Sequence, residues 1–310
     1  MGIDEWMISR RRLLQWLAAT GAAGMLPMVG AVENGVLQRA IPASGEKLPA
    51  IGMGTWLTFD VGTDAIFRER RCDVLRTFFE MGGELVDSSP MYGSSEAVVG
   101  HCLERLDNDS TLFSATKVWT RGRRLGVNQM EYSRRQWGLP QFDLMQIHNM
   151  LDWETHLETL KEMKAQGKIR YIGITTSHGR RHAELERVLA KEDAFDFVQF
   201  TYNLIDREVE QRLLPMAAER GLAVIINRPF RGGGLFGYVN GKPLPPWAAE
   251  FDCENWAQFF LKFIVSHPAV TCAIPATTRV DHMRENMGAL RGRLPTAEMR
   301  QRMVRHFSSL

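Results

Sequence analysis

Cysteine is scarce in this chain: there are four in 310 residues, Cys72, Cys102, Cys253 and Cys272. None lies at a spacing suited to zinc and the four form no disulfide framework, so they are read as separate thiols, most of them packed. An excess of charge of one sign is also missing. Lys and Arg number 38 against 36 Asp and Glu, a balance of +2, which leaves no electrostatic footprint for nucleic acid. There is no repeat of solenoid period and no low-complexity tract. No apolar run is long and unbroken enough to read as a clear membrane span. What is present is 45% hydrophobic residues, enough in a chain of this length for one large core. Strand and helix patterns alternate, which favours one α/β barrel over two domains, since such barrels run about 250 residues.

The first 31 residues stand apart. Ser9-Arg10-Arg11-Arg12-Leu13-Leu14-Gln15 precedes a mildly apolar stretch, 16–32, broken by Gly21, Gly24 and Pro27. This order resembles a twin-arginine export signal, and Val29-Gly30-Ala31 suits cleavage after Ala31. The resemblance implies a signal peptide over 1–31, a working domain over 32–310, a periplasmic location and the twin-arginine export machinery as a partner. Membrane contact then runs only through the signal segment. The alternative is an uncleaved N-terminus that anchors the protein to the inner membrane. Removing 1–31 takes away Arg10, Arg11 and Arg12 with Asp4 and Glu5, so the net charge changes from +2 to +1.

Over the rest of the chain the patterns fall into a regular order. Two short runs within 37–49 flank Ala43-Ser44-Gly45, a hairpin signal. Strands are expected at 51–55, 84–87, 112–116, 142–147, 169–174, 197–201, 223–226 and 270–274. Helices are expected at 67–81, from 94 onward, and at 152–166, 181–190, 209–220, 256–266 and 280–290. Between the third and fourth strands no helix is assigned. A long insertion, 231–251, follows the seventh strand, and an amphipathic helix at 294–307 ends the chain. A closed (β/α)8 TIM barrel with an N-terminal β-hairpin and an extra C-terminal helix is the economical solution.

The chemistry collects at strand ends. Asp87, Lys117 and His148 each close or follow an apolar run, and Tyr92 lies five residues beyond Asp87. In a parallel barrel the C-terminal ends of all strands open on one mouth, which joins residues far apart in sequence. A phenol is a poor acid near neutral pH unless a cation lies beside it, and an ammonium needs a carboxylate to hold it charged. The four read as a carbonyl-reducing set. Tyr92 is the general acid, Lys117 lowers the phenol pKa, Asp87 pairs with Lys117, and His148 orients the carbonyl. A Schiff-base role for Lys117 is the competing reading, but it needs a neutral lysine and a facing carboxylate argues against that.

Six segments together resemble the aldo-keto reductase superfamily, across about 36–302. Val86-Asp87-Ser88-Ser89-Pro90-Met91-Tyr92-Gly93 is similar to the family's segment with the ion-pair Asp and the catalytic Tyr. Ser114-Ala115-Thr116-Lys117-Val118-Trp119 resembles the strand that carries the Lys, and Phe142-Asp143-Leu144-Met145-Gln146-Ile147-His148 the strand that ends in the catalytic His. Gly52-Met53-Gly54-Thr55-Trp56 matches the first strand and its turn. Ile274-Pro275-Ala276-Thr277-Thr278-Arg279 and Arg284-Glu285-Asn286 match the cofactor segment.

The resemblance implies metal-free reduction of a small aldehyde or ketone with a nicotinamide nucleotide. It assigns the nucleotide to Thr55, Asp87, Thr175, Thr176, Gln199, Asn227, Arg228, Pro229 and Ala276. Thr277 and Arg279 fall at the adenosine 2′-phosphate, and Glu285 and Asn286 at the adenine. Arg279 makes NADP(H) the preferred cofactor, with NAD(H) not excluded. Gly232-Gly233-Gly234 is implied to be a hinge in a loop that folds over the nucleotide. Trp56, Trp119 and Asn149 are implied to line the substrate pocket, and the two tryptophans favour an apolar or aromatic carbonyl.

Two positions depart from the family pattern. The adjacent Ser and Asn that hold the carboxamide are Thr175 and Thr176, and the Tyr that stacks on the nicotinamide aligns with Asn227. The Arg228 guanidinium is the available substitute for that stack. These departures keep a second reading open: a nucleotide-binding sensor or partner subunit with little turnover.

Overall fold

The computed structural model describes residues 32–33, 35–106 and 111–310. The export signal expected over 1–31 lies outside the described residues. Three short strands open the described chain: β1 (Val32–Glu33), β2 (Val36–Ala40) and β3 (Lys47–Pro49), paired antiparallel in the order β1-β2-β3. Ile41 and Leu48 from this hairpin are fully buried against Leu85, Phe113, Tyr171, Phe197 and Ala223, so the hairpin stoppers one end of the barrel with apolar side chains.

Eight strands form the barrel: β4 (Met53–Gly54), β5 (Leu85–Asp87), β6 (Phe113–Val118), β7 (Phe142–Ile147), β8 (Ile169–Thr175), β9 (Phe197–Thr201), β10 (Ala223–Asn227) and β11 (Cys272–Ala273). Each pairs in parallel with its neighbour in chain order. The seam closes through Ile51 and Ala273, with Gly52 N–H donating to Ala273 O at 2.8 Å. The first and last strands are shorter than expected. Pro275 has no N–H to extend the ladder. A Cβ at Gly52 would sit 2.8 Å from Leu85 O, so glycine is required where the backbones crowd at the seam.

The helices wrap outside in the expected order, with three differences. Helix α1 (Ala65–Glu80) is capped by the Asp64 carboxylate, which accepts the Phe67 N–H, and it buries Cys72, Val74, Leu75 and Phe78. Helix α2 (Ser95–Leu106) buries Val98, Val99 and Leu103. The first difference is α3 (Arg123–Trp137), a helix that the sequence pattern does not announce. Its buried stripe is Gly126, Met130, Ser133 and Trp137, half of it small or polar, so hydrophobic periodicity is weak although the spacing is helical. The stripe is small because the next helix, α4 (Trp153–Ala165), packs close: a Cβ on Gly126 would lie 2.6 Å from the His156 ring.

The second difference lies after α5 (His182–Lys191) and β9. The helix expected over 209–220 is a single turn at Glu208–Glu210 followed by α6 (Leu213–Glu219). Pro215 lacks an N–H and is tolerated only in a first turn, so the helix starts close before it. The expected insertion contains a short helix, α7 (Gly234–Val239), and then come α8 (Trp256–Val265), α9 (Val280–Gly288) and α10 (Ala297–Ser308). Thr296 caps α10 through the Met299 N–H, and Met303 and Phe307 bury its inner face.

The third difference corrects the reading of the cysteines. Cys72 of α1 and Cys102 of α2 form a disulfide across 30 residues, with Cα atoms 4.9 Å apart. No local motif encodes this pair, because packing of α1 on α2 makes it. Cys253 and Cys272 are free and buried. Among the described residues no helix is long and apolar enough to cross a membrane.

Candidate active site

The strand ends opposite the hairpin open into a cleft of about 780 Å³. Its wall brings together Thr55, Trp56, Asp87, Tyr92, His148, Asn149, Thr175, Thr176, Gln199, Asn227, Arg228, Pro229 and Ala276. Lys117 lies beneath, on β6. Side chains on one face of a strand alternate, so Ala115 and Lys117 point into the barrel as Leu144 and Gln146 do from the neighbouring strand, and His148 opens the turn that follows it.

Lys117 is fully buried. Its Nζ donates to Asp87 Oδ2 at 2.5 Å and to Ser88 O at 2.7 Å, and it lies 5.2 Å from the centroid of the Tyr92 ring. Burial alone would lower the Lys117 pKa, but Asp87, followed by Tyr92, reverses this and the net direction is upward. The ammonium therefore persists in a dry site, as a paired buried charge can. Two amides that the sequence reading did not connect hold the other oxygen of Asp87. Gln146 Nε2 donates to Oδ1 at 2.8 Å and Gln199 Nε2 at 3.1 Å. Gln146 lies two residues before His148, so strand alternation alone could have pointed to it.

Tyr92 corrects one expectation. Lys117 does act to lower the phenol pKa, but burial outweighs it and Asp87 adds to the upward push, so the pKa is raised. The phenol keeps its proton more firmly than a free tyrosine, as suits a donor. His148 is pushed down to about 3, by burial first and then by the nearby Lys117. It is therefore neutral, and its ring meets Tyr92 edge-on at 5.8 Å between centroids.

The rest of the cleft wall mixes polar and apolar side chains. Thr175 Oγ1 accepts the Asn149 N–H at 2.9 Å, while the buried hydroxyl of Thr176 has no partner among the described residues. Asn227 is tied down by Thr201 Oγ1, which donates to its Oδ1 at 2.6 Å, and by its own Nδ2, which donates to Thr176 O at 2.8 Å. The Arg228 guanidinium lies 5.9 Å from the Trp56 ring, and Asn203 holds the Arg228 carbonyl at 3.2 Å. Gly232 and Gly233 reach the wall with φ of +67° and +90°, which glycine adopts freely. Met91 also lines the cleft, as do Leu57, His178, Arg180 and Phe236, which carry no sequence motif that would have announced them.

Four of the residues expected to bind the nucleotide stand off from this wall. Thr277 is buried just before α9 and Asn286 in its last turn, Glu285 is half-buried, and exposed Arg279 pairs with Asp281. Arg279 borders a smaller pocket of about 380 Å³ together with Phe67, Arg70 and Arg71. Trp119 is not on the cleft wall, but its ring centroid is 6.4 Å from that of His148.

A family model described as the aldo/keto reductase family matches residues 50–303. The chain is 29% identical to the methylglyoxal reductase YeaE of Escherichia coli (strain K12), over 84% of this chain and 93% of that protein. It is 24% identical to an NADH-specific methylglyoxal reductase of the same organism, over 81% and 92%. Among solved structures it is similar to an aldo/keto reductase from Klebsiella pneumoniae in complex with NADP and acetate. That match has a TM-score of 0.71 and 25% identity, over 85% of this chain and 93% of that one.

Proposed function

The chain belongs to the aldo/keto reductase family, and from that premise we propose that it is an exported, NADP(H)-dependent reductase of a small aldehyde or ketone. One observation carries the reading: a proton-holding phenol, a charged buried ammonium and a neutral imidazole meet in one cleft, with a carboxylate fixed behind the ammonium. The chain's residues fit a nicotinamide nucleotide. The Thr176 hydroxyl, unpartnered among the described residues, offers a polar contact for an amide, and the missing side chains of Gly232 and Gly233 suit a close approach to phosphate. The Klebsiella relative was crystallised with NADP.

A bound reduced nicotinamide would supply a hydride to the carbonyl carbon. Tyr92 donates its proton to the oxygen that gains charge, and Lys117 stabilises the phenolate left behind. His148 donates a hydrogen bond to that same oxygen. Asp87, braced by Gln146 and Gln199, keeps Lys117 charged and in place. Arg279 and Thr277 favour a 2′-phosphate, and the apolar faces of Trp56, Leu57 and Met91 favour an apolar carbonyl.

The Cys72–Cys102 disulfide supports export, because such bonds persist in oxidising compartments and are rare in the cytosol. A nucleotide-binding subunit with little turnover is the second reading, and it draws on Asn227, whose hydrogen-bonded amide gives no flat aromatic face to a nicotinamide. The deciding experiment mixes purified protein with NADPH and a panel of aldehydes. We expect NADPH consumption that falls about 10²–10⁴-fold in Tyr92→Phe while NADPH binding is kept. Tight NADPH binding with no consumption across the panel would favour the second reading. A Tyr92→Phe variant as active as wild type would remove the proposed acid.

A further inference from the structure

Ser89 sits in the strand-end segment between Asp87 and Tyr92 and has no part in the roles above. Its side chain is wholly buried, and its Oγ lies 2.9 Å from Nδ1 of His148. The same oxygen accepts the Met91 N–H at 3.2 Å. An amide N–H can only donate, so Met91 occupies an acceptor position and leaves the Ser89 proton still to be placed. Among the described residues no other acceptor bonds that hydroxyl.

His148 is neutral, so it carries one N–H and one bare nitrogen, and its neighbours decide which is which. With the proton on Nδ1, the Ser89 oxygen would face two donors while its own hydroxyl went unpaired in a dry pocket. With the proton on Nε2, all three groups are satisfied.

We infer that Ser89 is a positioning residue that donates to Nδ1 of His148 and so fixes the imidazole proton on Nε2, the nitrogen left to the cleft. The consequence for chemistry rests on the carbonyl-reduction reading. A carbonyl oxygen only accepts, and the Tyr92 hydroxyl and an Nε2–H give it two donors. The opposite tautomer would present a bare nitrogen that repels it.

The test is nitrogen NMR of the protein labelled with ¹⁵N-histidine at neutral pH, with the His148 signals assigned by their loss in His148→Gln. The expected wild-type spectrum shows Nε2 protonated and Nδ1 a bare acceptor. Ser89→Ala should mix the tautomers and lower kcat for aldehyde reduction about tenfold, the scale of one lost hydrogen bond. NADPH binding should stay unchanged, and Ser89→Thr, which keeps the hydroxyl, should restore both the spectrum and kcat. A wild-type spectrum with the proton on Nδ1 overturns the inference. So does a Ser89→Ala protein with wild-type tautomer and wild-type kcat. If Ser89→Ala does not fold, the wild-type spectrum decides alone. A wild type that reduces no aldehyde yet holds its proton on Nε2 defeats the reductase reading and leaves the Ser89 assignment standing.

Discussion

The ammonium of Lys117 lies 2.5 Å from a carboxylate oxygen of Asp87, and both side chains are buried at the base of the cleft. Two charges in such a place are tolerable only as a pair.

The first prediction follows from that pairing. Asp87→Asn or Lys117→Met alone strands a buried charge and should cost about 3–5 kcal/mol of stability in urea denaturation. The double variant should cost clearly less than the sum of the two. Simple additivity would mean that the two groups are not coupled. The pH dependence has a defined sign. The Lys117 pKa is raised on folding, so its contribution is complete below the unfolded lysine value of about 10.4 and is lost as pH climbs through the higher folded value. Wild type should therefore lose more stability than Lys117→Met in strongly alkaline solution.

The second concerns the rate and stability at other pH values. Because His148 is held down to about 3, reduction should show no histidine inflection between about pH 5 and 8. Because the Tyr92 pKa is raised, its ionisation should not slow reduction below about pH 10. A fall beginning near pH 8 would show that Lys117 wins over burial after all. The depressed histidine values also make folding acid-sensitive. The unfolded chain takes up protons first, so stability present above about pH 6.5 drains away as pH falls toward the folded values of about 3 for His148 and about 4 for His267. A His148→Gln variant should lose less stability over that range.

The third joins the disulfide to export. Closing a loop of 30 residues stabilises by about 3–4 kcal/mol in chain-entropy terms, and Cys72→Ser should lose that amount in denaturation. Thiol titration of the unreduced, unfolded protein should count two thiols, Cys253 and Cys272. Four would mean that the bond is absent. Changing Arg10, Arg11 and Arg12 together to Lys should hold the protein in the cytoplasm, and cell fractionation reads this directly. Arrival of the altered protein in the periplasm would show the signal to be misread.

Much of the barrel was legible because strand and helix periods are local. The bounds of β7 and β9 agree residue for residue with the apolar runs, and the motif order along the chain placed Asp87, Tyr92, Lys117 and His148 at the strand ends. Helix α3 escaped because α4 packs close at Gly126 and Ser133 donates to Glu96 of α2, where an apolar stripe would otherwise advertise itself. Loops offered less still, and His178 and Arg180 reach the cleft through connections that carry no period.

By itself the amino-acid order determined which chemical groups the chain owns, in what succession, and at which end of each strand. Only the tertiary structure decided how they act on one another. It joined Cys72 to Cys102, set Gln146 and Gln199 against the second oxygen of Asp87, and desolvated half-buried Tyr92 enough to outweigh the lysine beside it. The reason is physical: periodicity is a property of neighbours along a chain, whereas desolvation and hydrogen bonding depend on distances that exist only after the barrel has closed.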